Sequence, residues 1–295
     1  MVNIGIDAHQ QECSTVNIRI DAHQHYWAIN RGDYGWITPE LQTLYHDFLP
    51  EDLAPQLKAH HIDGTIVVQA APTMEETEYI LELASNTDSI LGVVGWLDLD
   101  DPSYQEQLER YLQHPKFVGF RIMIQSMPDP YAIVQPHMVR ALQYCVDKDI
   151  PVDLLVVSHQ LEALLELLEL VPNLRGVIDH IAKPSIKMGT MEPWSEQMKK
   201  LASYPHLYCK LSGMVTEADH EHWRINDFTG YIQHILEIFG PTRVMFGSDW
   251  PVCLLAAQYD DVVDIVTQAL PSNWGQQERD QLFGLNAQLF YRLHS

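Results

Sequence analysis

Basic residues are scarce in this chain. Its 295 residues carry 18 Lys and Arg against 40 Asp and Glu, a formal net charge of -22. So acidic a surface repels phosphate backbones and anionic headgroups, and neither nucleic acid nor a membrane is expected as a partner. A local basic patch can still bind a small anion. Cysteine is sparse too: Cys13, Cys145, Cys209 and Cys253 lie far apart and form no CxxC. That excludes a stapled secreted domain and reads as a reduced, cytoplasmic protein. No apolar run reaches the roughly 18 residues of a spanning helix. The opening segment reads as too polar for a secretory leader. No P-loop, GxGxxG or GxSxG occurs, so phosphate-loop and nucleophile-elbow chemistries have no support. Nothing in the sequence bears on oligomeric state.

What is present is a rhythm. Apolar, β-rich runs recur at 18–23, 64–70, 90–98, 117–123, 151–157, 174–181, 207–213 and 244–249. They are nearly continuous in apolar residues, as parallel strands covered on both faces are. Helical spacing fills the gaps, for instance at 73–86, 160–171 and 259–270, with Pro271 ending the last. Eight strand–helix units closing on themselves predict an α/β fold, a (β/α)8 TIM barrel. The rival, an open doubly wound sheet, would carry a Gly-rich turn after its first strand. That turn holds His, Gln, His and Tyr instead. Two longer segments, 26–60 and 183–200, interrupt the rhythm and are expected over the end of the barrel where strands finish.

The pentapeptide IDAHQ occurs twice, at 6–10 and at 20–24. Only the second copy runs into the aromatic segment that should follow a first barrel strand. Residues 1–16 therefore read as an extra N-terminal segment, either a tail or a hairpin pairing IGI (4–6) with IRI (18–20). The barrel is assigned to 17–295.

Catalytic groups of such barrels come from the C-terminal strand ends. That singles out His23 and His25, Arg121, His180, Lys210 and Asp249. Two positions apart on a strand, His23 and His25 point to one side. Such an imidazole pair suits a zinc-type ion, with Asp249 or His180 completing the set. Asp249 can also accept a proton from water. Asp179 and His180 should face opposite ways on a strand, and His180 is the one expected inward. Arg121 and Lys210 are cations within apolar runs, so each must meet a carboxylate or a ligand, and both are assigned to substrate binding. Trp27, Trp36 and Trp96 are candidates for the wall of a sugar-ring cavity. Lys183 reads as a solvated loop residue, His159 as a helix cap, and HEHW (220–223) as a polar helix edge without the HExxH spacing.

Several motifs together resemble the amidohydrolase superfamily, in its branch of sugar-acid lactonases that includes L-fuconolactonases and L-rhamnonolactonases. They are IDAHQHYW (20–27), GTIVVQAAPTMEET (64–77), GVVGWLDL (92–99), FVGFR (117–121), VIDHIAKP (177–184), LYCKLSG (207–213) and MFGSDWP (245–251). The resemblance covers about 17–293. It implies a (β/α)8 barrel that hydrolyses a lactone ester in carbohydrate breakdown. It matches His23 and His25 to the superfamily's first-strand histidines, Asp249 to its proton-accepting aspartate and His180 to the histidine near the substrate carbonyl. Arg121 falls at a substrate-binding position. Arg121 and His159 stand where a two-metal site would place its bridging ligand, so the expectation is one divalent ion, zinc or manganese, or none. The expected substrate is an aldonolactone of the 6-deoxy kind, such as L-fucono- or L-rhamnono-lactone. The alternatives are a dicarboxylate-lactone hydrolase or decarboxylase on the same barrel and, last, a non-catalytic barrel that binds a sugar acid.

Overall fold

The computed structural model describes residues 17–293. The extra segment assigned to 1–16, and with it the tail-or-hairpin question, lies outside the described residues. Eight parallel strands run in sequence order: β1 (Ile20–Gln24), β2 (Gly64–Val68), β3 (Ile90–Gly95), β4 (Phe117–Met123), β5 (Val152–Leu155), β6 (Gly176–Ile178), β7 (Leu207–Leu211) and β8 (Val244–Phe246). A helix follows each: α1 (Pro50–Ala59), α2 (Met74–Ser85), α3 (Tyr104–Tyr111), α4 (Pro136–Asp147), α5 (Leu161–Leu170), α6 (Trp194–Ala202), α7 (Ile225–Phe239) and α8 (Tyr259–Ala269). This is the (β/α)8 barrel that the alternation predicts, and no helix of it is long and apolar enough to cross a membrane.

The barrel closes by an indirect seam. Strand β8 stops at Phe246, and the residues beyond it meet β1. His25 N–H donates to Trp250 O at 2.7 Å, and Asp249 N–H to His23 O at 2.8 Å. The Asp21 carboxylate stitches the same seam, accepting from Ser248 N–H at 2.9 Å and from the Tyr259 hydroxyl of α8 at 3.1 Å. Burial pushes Asp21 up to about 6, against these hydrogen bonds.

At the opposite end, where the strands begin, a C-terminal extension acts as a plug. After α9 (Gln276–Asp280), α10 (Asn286–Tyr291) packs Phe290 and Tyr291 against Ile20, Ala22, Ile66, Val94, Val177 and Met245. The other apolar residues form the layer between strands and helices.

Most strands are shorter than the apolar runs that predict them, and two of the differences bear on the site. The sixth run, read to 181, leaves the sheet after Ile178, and the eighth, read to 249, after Phe246. His180, Ile181, Ala182, Lys183 and Asp249 all have φ between 46° and 59°, the left-handed region. Both departures occur where the site is built.

Candidate active site

Three imidazoles converge on one carboxylate oxygen. Asp249 Oδ1 is 3.3 Å from His25 Nε2, 3.9 Å from His23 Nε2 and 4.0 Å from His180 Nε2. In each ring the other nitrogen has its own partner. His25 Nδ1 meets Val68 O at 2.7 Å, His180 Nδ1 meets Ser212 Oγ at 2.9 Å, and His23 Nδ1 lies 3.1 Å from Lys210 Nζ and 3.2 Å from Asp179 Oδ1. A carbonyl oxygen can only accept, so His25 carries a proton on Nδ1 and turns Nε2 to Asp249.

The backbone makes this convergence possible. In β1 the pairing to β2 slips by one residue between Asp21 and Gln24, a bulge. Ala22 packs in the barrel interior while His23 also reaches inward to Asp179. Gly247 lets the His23 chain come close, since a Cβ there would lie 2.6 Å from His23 Cβ. Gly213, at φ +57°, lies against His180, and a Cβ there would lie 2.4 Å from its Nδ1.

The donor set fits a divalent ion. Burial drives His23 and His180 well below the ordinary imidazole value, so both are neutral. Asp249 is buried, yet it is held below its ordinary carboxylate value and is ionised. An ionised carboxylate buried beside the neutral rings of His23 and His180 calls for a positive charge between them. His23 Nε2 is buried and has no hydrogen-bond partner. His23, His25 and Asp249 offer ligand atoms all within 4.8 Å of one another, as do His23, Asp179 and His180. Two imidazoles and a carboxylate with an open side are what zinc takes in hydrolytic sites. The second partners on Nδ1 are the usual means of aiming such ligands.

Asp179 and His180 both face the site, which corrects the expectation that only His180 would. Asp179 is the first residue past β6 and points inward, and the left-handed turn that follows brings His180 round to the same side. Asp179 lies 3.5 Å from Arg121 Nη1 and 3.2 Å from Lys210 Nζ. Arg121 also donates to Gln69 O. Lys210 is a second correction. Fully buried, it lies between Asp153 and Asp179 beneath the imidazoles and does not line the cavity. It sits one step too deep on β7 to touch a ligand.

Above the imidazoles opens a cavity of about 590 Å³, lined by His25, Trp36, Arg121, His180, Lys183 and Asp249 among others. Trp27 is a third correction. It is fully buried under the 26–49 segment, with its ring against Phe48 and its N–H on His46 O at 2.9 Å. Trp96, half-buried after β3, also does not line the cavity. Lys183, read as a solvated loop residue, does line it, with Nζ 3.9 Å from Glu217 Oε1. His159 is exposed beside a separate hollow, and HEHW forms a turn before α7.

The end of β2 supplies the support that sequence reasoning missed. Three consecutive carbonyls, of Val68, Gln69 and Ala70, accept from His25, Arg121 and Trp36 in turn, the last at 2.8 Å. Glu76 of α2 holds this segment, its Oε1 accepting Ala70 N–H at 3.0 Å. Burial pushes Glu76 up to about 8. An acid in the first turn of a helix with a Thr three residues before it reads as an exposed capping residue, so no sequence signal marks this role.

Comparison with known proteins gives a consistent picture. The family model described as Amidohydrolase matches residues 20–293. A Burkholderia ambifaria protein named L-fucono-1,5-lactonase is 38% identical over 281 residues, covering 94% of this chain and 97% of that one. A protein of the same name from Burkholderia multivorans is 37% identical over 289 residues, covering 94% and 96%. A crystal structure of a Burkholderia multivorans amidohydrolase with bound zinc superposes with a TM-score of 0.89 at 36% identity, covering 94% of this chain and all of that one.

Proposed function

The chain belongs to the amidohydrolase family, and we propose that it opens the ring ester of a sugar-acid lactone of the L-fucono-1,5-lactone kind, in carbohydrate breakdown. The observation that carries this reading is the convergence of His23, His25 and His180 on Asp249 at the floor of a cavity large enough for a sugar ring.

In this reading His23, His25 and Asp249 hold one divalent ion, zinc or manganese, with His180 beside it. The ion would polarise the lactone carbonyl and ease deprotonation of the attacking water. The residues of the chain do the rest. Asp249 takes a proton from the water as its oxygen adds to the carbonyl carbon. The ring C–O bond then breaks, and Asp249 returns that proton to the departing ring oxygen. Arg121, braced by Asp179 and the Gln69 carbonyl, turns the remaining donors of its fork to substrate oxygens. His180 lies where it can steady the carbonyl oxygen as charge develops. Trp36 forms one wall. Ala70, Pro72, Met123, Leu155 and Val252 add apolar lining, which suits a 6-deoxy sugar with its methyl group.

A second reading, a dicarboxylate-lactone hydrolase, gains from Lys183 standing at the mouth with Arg121. The paired Glu217 weakens it by offsetting that charge. The buried free thiols Cys145, Cys209 and Cys253 favour a reducing, cytoplasmic setting for either substrate.

One screen decides. The protein, chelated and then supplied with zinc or manganese, is presented with aldonolactones and dicarboxylate lactones in weakly buffered indicator. Acid release on a 6-deoxy aldonolactone supports the proposal. Release on dicarboxylate lactones alone transfers it to the second reading, and no release from any lactone removes both.

A further inference from the structure

Beneath the three imidazoles lies a second cradle, and a side chain fills it. Lys210 rises from β7, fully buried, with Nζ 3.1 Å from His23 Nδ1 and 3.2 Å from Asp179 Oδ1, and pairs with Asp153 Oδ2. Tyr291 of α10 donates its hydroxyl to Asp153 from below, 2.8 and 3.0 Å from the two oxygens. An imidazole nitrogen and two carboxylates, from β1, β5 and the turn after β6, thus converge on one point. That is a donor set of the kind that holds a divalent ion. Two carboxylates this deep demand positive charge between them.

We propose that the Lys210 ammonium is the resident cation of this second position, and that it limits the protein to one divalent ion, bound by His23, His25 and Asp249. His23 stands between the two positions, with Nδ1 toward Lys210 and Asp179 and Nε2 toward Asp249. With its Nδ1 proton turned to Asp179 Oδ1, the ring keeps its Nε2 lone pair for the exchangeable ion, while the ammonium balances the carboxylates without taking a ring nitrogen. Lys210 is therefore a positioning residue that sets metal stoichiometry without touching substrate. An ordinary buried salt bridge would share its contacts but would not be replaceable by a metal.

The inference rests on the His23–His25–Asp249 site proposed above, and the test separates the two. The full-length protein and its Lys210→Ala and Lys210→Met variants are stripped with chelator and exposed to excess zinc. After removal of free ion, zinc is counted per chain by elemental analysis, and thermal midpoints are recorded with and without zinc. Truncation to Ala opens the inner position, whereas Met fills it with an apolar chain. The expected result is one zinc in wild type, two in Lys210→Ala and no more than one in Lys210→Met. Zinc should also raise the midpoint of Lys210→Ala more than that of Lys210→Met. A Lys210→Ala chain that folds only when zinc is supplied supports the proposal equally. Two zinc ions in wild type overturn it. So does Lys210→Ala that binds no more zinc than wild type, or that stays unfolded at every zinc concentration. Wild type with no zinc, beside Lys210→Ala with one, removes the outer site and leaves the role of Lys210 standing.

Discussion

His25 Nε2 stands 3.3 Å from Asp249 Oδ1, although 224 positions separate the two residues. The contact crosses the seam where the barrel closes, and backbone holds it from both sides. His25 N–H donates to Trp250 O, and His25 Nδ1 is fixed on the Val68 carbonyl. Closing the barrel and assembling the site are therefore one event. A change that loosens the seam should also disperse the imidazoles.

Asp249→Asn tests the proton acceptor. An amide keeps the shape but takes no proton, and its N–H₂ group can face the imidazole lone pairs. Steady-state lactone hydrolysis should fall by about 10²–10⁴-fold, the range for loss of a positioned acid–base group. Circular dichroism should stay that of the parent, because the Asp249 backbone bonds remain. Turnover within about 3-fold of the parent would remove Asp249 from that role.

His25→Ala tests the ion. Loss of an outer partner of a metal ligand costs about 10–100-fold in affinity, so loss of a ligand should cost at least that. Competition against a fluorescent zinc chelator should show affinity at least about 100-fold weaker than the parent. Unchanged affinity would place the ion elsewhere.

The barrel was legible in the sequence because eight apolar runs, spaced by amphipathic helices, are a direct imprint of parallel strands buried on both faces. His23, His25 and Asp249 were legible as polar groups at strand ends, where apolar patterning alone would not put them. Other residues depended on conformations that carry no pattern. Asp179 was set aside on strand alternation, which fails because the chain turns left-handed at the next residue, His180. Lys183 reaches the cavity through the same turn. The depth of Lys210 and Trp27 has no sequence signal, because a cation or an aromatic near a strand end looks the same whether it lies above or below the imidazoles. Asp153 passed unnoticed inside PVDLLVV, where its partner Lys210 is 57 positions away.

Glu76 should give stability a pH dependence of known sign. Its carboxyl has an ordinary value of 4.5 and is pushed up to about 8 by burial. Below 4.5 it is neutral in both the folded and the unfolded chain. Between there and about 8 the unfolded chain releases the proton while the folded chain keeps it, so this contribution to stability is lost as pH rises. Glu76→Gln keeps an acceptor for Ala70 N–H and has no charge to lose. Urea unfolding should show the variant gaining on the parent from pH 5 to 8, by on the order of a few kcal/mol at the upper end. Parallel curves for the two would contradict the assignment. Glu76→Ala, which strands the Ala70 N–H, should be less stable than Glu76→Gln by about 1–3 kcal/mol throughout.

Trp36 should control substrate affinity and leave the chemistry alone. It is 40% exposed, lines the cavity and anchors its N–H on the Ala70 carbonyl, while its ring meets Trp27 edge-on at 5.7 Å. A large apolar surface that stays open to solvent is available to a ligand ring. Binding of this kind is the same in ground and transition states, so its loss raises KM with kcat little changed. Trp36→Ala should raise KM by about 5–30-fold, the equivalent of about 1–2 kcal/mol of lost ring contact. Trp36→Phe, which keeps a ring but gives up the N–H anchor, should fall between. A drop in kcat at constant KM would instead mean that the Ala70 anchor works through the β2 carbonyls, and so through His25 and Arg121, on the reacting groups.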